Sequence, residues 1–97
     1  MHAPHRIQAI TRKAAPVLRR NGVVRAGIFG SVVRGEDNRK SDIDFLIQFK
    51  GRKSLLDVVR LKRELEEVLK KHVDLVEYSA VKPRLRRAIL SEEVKIA

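Results

Sequence analysis

The chain contains no cysteine. Disulfide staples and thiolate zinc sites are thereby excluded, and the three histidines, His2, His5 and His72, lack the spacing of metal ligands. Aromatic residues make up only 4% of the sequence, too few to interleave with basic residues as a stacking platform for single-stranded nucleic acid requires. Long apolar runs are missing as well. Gln48 and Asp57 interrupt the best candidates well short of the ~18 residues of a membrane span, and Met1-His2-Ala3-Pro4 does not open a signal peptide. The expected address is the cytoplasm, with no membrane partner. No Gly-x-Gly-x-x-Gly run exists to hold a dinucleotide, no nucleophile elbow is present, and nothing repeats internally.

What is present fits one domain spanning residues 1 to 97, with a hydrophobic share of 43% and no room for a second, substrate-binding module. The formal charge of +10 points to polyanionic company: a nucleotide, a nucleic acid or an acidic protein. The basic residues are nevertheless scattered. They cluster only at Arg19-Arg20, Lys50 to Lys53 and Lys82 to Arg87, and any one cluster reads equally well as a solvated face.

Helix and strand patterns alternate along the chain. Ile7, Ile10, Ala14, Val17 and Leu18 keep helical spacing, which predicts an amphipathic helix over 4–20, with Pro16 kinking it or dividing it in two. Asn21-Gly22 is a good stop, and a strand is predicted over Val23 to Phe29. A short helix over Ser31 to Arg34 and a polar loop from Gly35 to Ser41 follow. Lys50 to Lys53 reads as a turn. Ser54 with Asp57 resembles a capping box, and Leu55, Val58, Leu61, Leu65, Val68 and Leu69 form an apolar stripe on a helix reaching Lys71. Glu64, Glu66 and Glu67 on its wet side read as solubilising charge. A strand over Val73 to Tyr78 and a helix opened by Pro83 complete the pattern, with Ser91 to Ala97 either a frayed tail or a short extra strand.

The stretch that carries chemistry runs from Gly27 to Phe49. In Asp42-Ile43-Asp44-Phe45-Leu46-Ile47-Gln48-Phe49 the side chains alternate, so Ile43, Phe45, Ile47 and Phe49 make one apolar face and both aspartates fall on the other. Carboxylates at i and i+2 of a strand stand roughly 6.6 Å apart, near enough to share hard cations, and without a cation they repel. Other readings fail on mechanism. Gly30 and Gly35 have the glycine spacing of a Walker loop, but Glu36-Asp37 occupy the places of the Lys and Ser/Thr and would repel phosphate. An EF-hand needs an oxygen ligand two residues beyond Asp44, where Leu46 stands.

Gly30-Ser31, a ten-residue interval and Asp42-x-Asp44, with Arg34-Gly35-Glu36 and Ser41-Asp42 inside, resemble the signature of the DNA polymerase β-like nucleotidyltransferases, specifically the minimal nucleotidyltransferase (MNT) group. The match is dense over residues 27–49 and elsewhere rests on element order and Asp74. The resemblance implies a small α/β (α+β) fold, a mixed sheet of three to four strands flanked by helices, with Ser31, Asp42, Asp44 and Asp74 meeting at one edge. It makes Asp42, Asp44 and Asp74 the catalytic residues and the ligands of two Mg²⁺, with ATP as substrate. Gly30, Ser31, Arg34, Lys40 and Ser41 become the nucleotide-binding residues. Tyr78 and Phe29 stay open between flanking a base and filling the core. The family further implies transfer of AMP to a tyrosine of a HEPN toxin partner, the protein acting as antitoxin. Two alternatives stand beside it: a non-catalytic antitoxin that neutralises the toxin by binding, and a nucleotidyltransferase acting on RNA, encouraged by the charge and disfavoured by the missing acceptor domain. A homo-oligomer stays open.

Overall fold

The computed structural model describes residues 4–36 and 41–96, so the predicted nucleotide-binding Lys40 lies outside the described residues. The elements run α1 (Pro4–Arg20), β1 (Val23–Phe29), α2 (Ser31–Arg34), β2 (Ile43–Phe49), α3 (Leu55–Leu69), β3 (Val73–Glu77), a 3-10 turn (Tyr78–Ala80), α4 (Pro83–Glu92) and β4 (Val94–Lys95). The four strands form one mixed sheet in the order β3-β2-β1-β4. β2 pairs antiparallel with β1 and parallel with β3, and β4 pairs antiparallel with β1. No helix among the described residues is long and apolar enough to cross a membrane.

One face of the sheet carries the core. Ile43, Phe45, Ile47 and Phe49 of β2 are all buried there, as the alternation predicts, together with Ala26 and Ile28 of β1. Against them pack Ile7, Ile10, Ala14, Val17 and Leu18 of α1 and Leu61 and Leu65 of α3. α1 is a single helix rather than two, with Pro16 inside it. Pro16 and Arg12, whose carbonyl loses its intrahelical donor, are both exposed, so water can serve that carbonyl.

α3 begins with the predicted capping box: the Asp57 amide donates to Ser54 Oγ (3.3 Å), and the Ser54 amide donates to the Asp57 carboxylate (2.9 Å). Its apolar stripe is shorter than the spacing predicts. Leu55 is 78% exposed and Leu56 74%, because the core reaches α3 only further along the helix, at Leu61 and Leu65. The acidic residues of α3 also do more than solubilise. Glu64 accepts from the Asn21 side chain at 2.6 Å, and Glu66 accepts from the Val73 amide at 3.0 Å, which holds its carboxyl below the usual range. These contacts fasten α3 to the end of α1 and to the start of β3.

The last segment differs from expectation in detail. β3 stops at Glu77 and Tyr78 opens the 3-10 turn, while the undecided tail over 91–96 resolves into the end of α4 and the short β4, Ala97 lying outside the described residues. The connection from β3 to β4 passes over the face of the sheet opposite the core. Gly27, on that face, has no room for a Cβ because the Glu93 side chain lies against it.

Candidate active site

The site is built where β1 turns into α2 beside the start of β2. Gly30 adopts φ +85°, and a Cβ there would overlap the Asp44 carboxylate, so only glycine permits this approach. Phe29 and Asp44 are register partners across β1 and β2. On the other side of β2, Asp44 is the register partner of Asp74. Neighbouring strands lie ~4.8 Å apart, and register partners point to one face. Ile43 and its partner Val73 are buried in the core, so Asp44 and Asp74 share the opposite face. Asp42 is exposed two residues before Asp44, where the strand begins.

Burial raises the Asp44 carboxyl to about 6, reinforced by the negative charges of Asp74 and Asp42. Arg34 opposes the rise. The predicted Asp42, Asp44 and Asp74 thus meet electrostatically, although among the described residues no three His, Cys, Asp or Glu side chains are gathered as a ready cation cage.

Of the predicted nucleotide-binding residues, Gly30, Ser31 and Arg34 occur together on the turn and on α2, with Ser31 half-buried and Arg34 exposed. The Ser41 carbonyl accepts from Lys71 Nζ at 3.4 Å. Arg34 is engaged on both sides. Its Nε donates to Glu36 at 2.8 Å, and its Nη1 reaches both oxygens of Glu92 at 3.0 and 2.9 Å. Glu92 also accepts the Gly30 amide at 2.6 Å. Sequence reasoning did not find Glu92, since an acidic residue in a helix-forming tail carries no local mark of a partner 62 residues away.

Tyr78 lies on the same sheet face, half-buried, with the Arg25 guanidinium 4.0 Å from its ring centroid and its hydroxyl donating to Glu93. It borders an open groove of about 550 Å³ that Gln48, Arg86 and Leu90 also line. Phe29 is half-buried.

A protein of Methanocaldococcus jannaschii, provisionally named a protein adenylyltransferase, is 52% identical over 90 residues, 93% of this chain and 97% of that one. The protein adenylyltransferase MntA of Thermococcus cleftensis is 42% identical over 77 residues, 79% of this chain and 78% of its own. A solved structure provisionally described as a minimal nucleotidyltransferase superposes with a TM-score of 0.80 at 38% identity, covering 97% of this chain and 95% of that one. An MNT antitoxin solved with the tri-AMPylated HEPN toxin of Shewanella oneidensis shares the fold (TM-score 0.71, 22% identity, 93% and 71% covered). The family described as polymerase beta, nucleotidyltransferase matches residues 12–97, and with the Gly30-Ser31 turn and the Asp42-x-Asp44 strand that span includes, the chain belongs to that family.

Proposed function

We propose that this nucleotidyltransferase is Mg²⁺-dependent and moves AMP from ATP to a tyrosine hydroxyl of a HEPN-family toxin, for which it is the antitoxin. The observation that supports the reading is the packing of the Gly30 turn on Asp44 with Asp74 in register beside it, a glycine turn and two carboxylates at one end of the strands. The name of the Thermococcus relative and the modified toxin bound to the Shewanella antitoxin support a protein acceptor.

The donor set suits a hard divalent cation. Every candidate ligand, Asp42, Asp44 and Asp74, offers carboxylate oxygen, and a bound cation would relieve the burial and like charge that raise the Asp44 carboxyl. Bound there, Mg²⁺ supplies Lewis-acid neutralisation of phosphate charge. The rest falls to the chain, because nucleotidyl transfer is mostly positioning and charge compensation. The acceptor oxygen bonds to the α-phosphorus as the bond from that phosphorus to the bridging oxygen of pyrophosphate breaks. The hydroxyl proton passes to Asp74, and pyrophosphate leaves. Gly30 and Ser31 hold the departing phosphates through amide and hydroxyl donors, with Arg34, Lys40 and Ser41 around them.

Intact-mass measurement of the purified toxin after incubation with ATP, Mg²⁺ and this protein tests the reading. The expected result is a mass increase of AMP at sub-stoichiometric dose. Inhibition of the toxin one-for-one, with its mass unchanged, would establish the non-catalytic binder instead.

A further inference from the structure

The contact between Glu92 and the Gly30 turn joins the last helix to the site. A carboxylate that takes one backbone amide at 2.6 Å and both of its oxygens to an arginine at 3.0 and 2.9 Å is bound in the way an anion is bound. Carboxylate and phosphate present the same planar or near-planar pair of oxygens to a guanidinium, so a site that fits one fits the other. The donors here are Gly30 and Arg34, two of the residues assigned above to nucleotide phosphate.

Glu92 does not arrive by chance contact of a loose side chain. It is the last residue of α4, and the residues just after it are held by the sheet: Val94 and Lys95 pair with Ile28 and Gly27 of β1, and the Ile96 amide donates to the Ala26 carbonyl at 2.9 Å. Glu93 lies over Gly27 and accepts from Tyr78. β1 ends at Phe29, directly before Gly30, so pairing of β4 along it delivers the preceding Glu92 to the turn.

We propose that Glu92 is an internal occupant of the phosphate position, held on Gly30 and Arg34 until the phosphate of a nucleoside triphosphate displaces it. The inference rests on the nucleotidyltransferase reading above and adds a competitor to it. Two anions cannot share one amide and one guanidinium without strong repulsion, so binding of phosphate requires the Glu92 side chain to leave. Apparent affinity is then the intrinsic affinity multiplied by the fraction of molecules in which Glu92 is out: if that fraction is about one tenth, removing the competitor tightens binding about tenfold.

Calorimetric titration of the full chain with Mg²⁺-ATP and with Mg²⁺-tripolyphosphate tests this, using the parent, Glu92→Gln, Glu92→Ala and, as a control of equal charge change, Glu67→Gln, exposed on α3. Thermal melts of each variant establish that it is folded before titration. Glu92→Gln keeps size and an acceptor for the Gly30 amide while losing the charge, so it remains informative if Glu92→Ala unfolds. The expected result is about tenfold tighter binding of both probes to the Glu92 variants and an unchanged affinity for Glu67→Gln. Equal or weaker binding to folded Glu92→Gln, with the parent binding normally, overturns the competitor and leaves the nucleotidyltransferase reading standing. Absence of binding of either probe to any form overturns both.

Discussion

At Asp44, stability and the proposed cation-binding role pull in opposite directions. The Asp44 carboxyl is raised from the ordinary aspartate value of about 4 to about 6, first by burial and then by Asp74 and Asp42. Between those two values the folded chain binds more protons at this position than the unfolded chain, so this contribution to stability falls as pH rises from about 4 to about 6 and levels off above. Asp44→Asn removes the dependence. After allowance for solvent screening, the variant is expected to be more stable than the parent by about 1–2 kcal/mol at pH 7 in the absence of divalent cation, and by less at pH 4. Chemical denaturation of both proteins across this range checks it, and an Asn variant less stable than the parent at pH 7 would contradict the electrostatic account. The same variant is expected to lose AMP transfer by at least about a hundredfold, since a metal-ion contribution of several kcal/mol converts at ~1.4 kcal/mol per tenfold in rate.

At the scale of the element, α3 separates positions that a helical stripe treats alike. Leu61 is fully buried between α1 and the sheet, and Leu55 is 78% exposed. Truncation of Leu61 to Ala leaves a cavity and is expected to cost about 2–5 kcal/mol. Leu55→Lys removes almost no buried surface and is expected to shift stability by less than about 0.5 kcal/mol. Urea midpoints for the two variants check the contrast, and a large loss in Leu55→Lys would place that residue in the core. The capping box makes a third, intermediate case. Ser54→Ala removes the side-chain half of the capping box and is expected to cost about 1 kcal/mol.

At the scale of the whole molecule, the sheet separates two tasks. The face under α1 and α3 holds the apolar core, and the opposite face carries Asp44, Asp74 and the returning C-terminal segment with Glu92 and Glu93. Ligand binding on the second face therefore adds to the stability of the fold without altering the core. Mg²⁺-ATP at a hundredfold excess over its Kd is expected to stabilise the protein by about 2.7 kcal/mol, a rise in Tm of about 13 °C for a chain of this size. ATP with a chelator is expected to give much less, because the carboxylates then face the phosphates with their charge uncompensated. Thermal melts of the parent and of Asp42→Asn/Asp44→Asn check this: equal shifts in the two proteins would show that the aspartates do not take part.

By itself the sequence determined whatever depends on residues a few positions apart. The alternation of Asp42 to Phe49 named the buried face of β2, Ser54 and Asp57 named the start of α3, and Gly30-Ser31 with Asp42-x-Asp44 marked the candidate site, because pleat, cap and turn are set within one strand or one helical turn. Only the tertiary structure decided what depends on distant partners. The use of Glu64 to hold Asn21 spans 43 residues, the seat of Glu92 on Gly30 spans 62, and the exposure of Leu55 depends on which part of α3 the core reaches. A charge in a helix has the same local pattern whether it faces water or a backbone amide. What separates the two is the fold of the rest of the chain, here the pairing of β4 with β1 that carries Glu92 to the Gly30 turn.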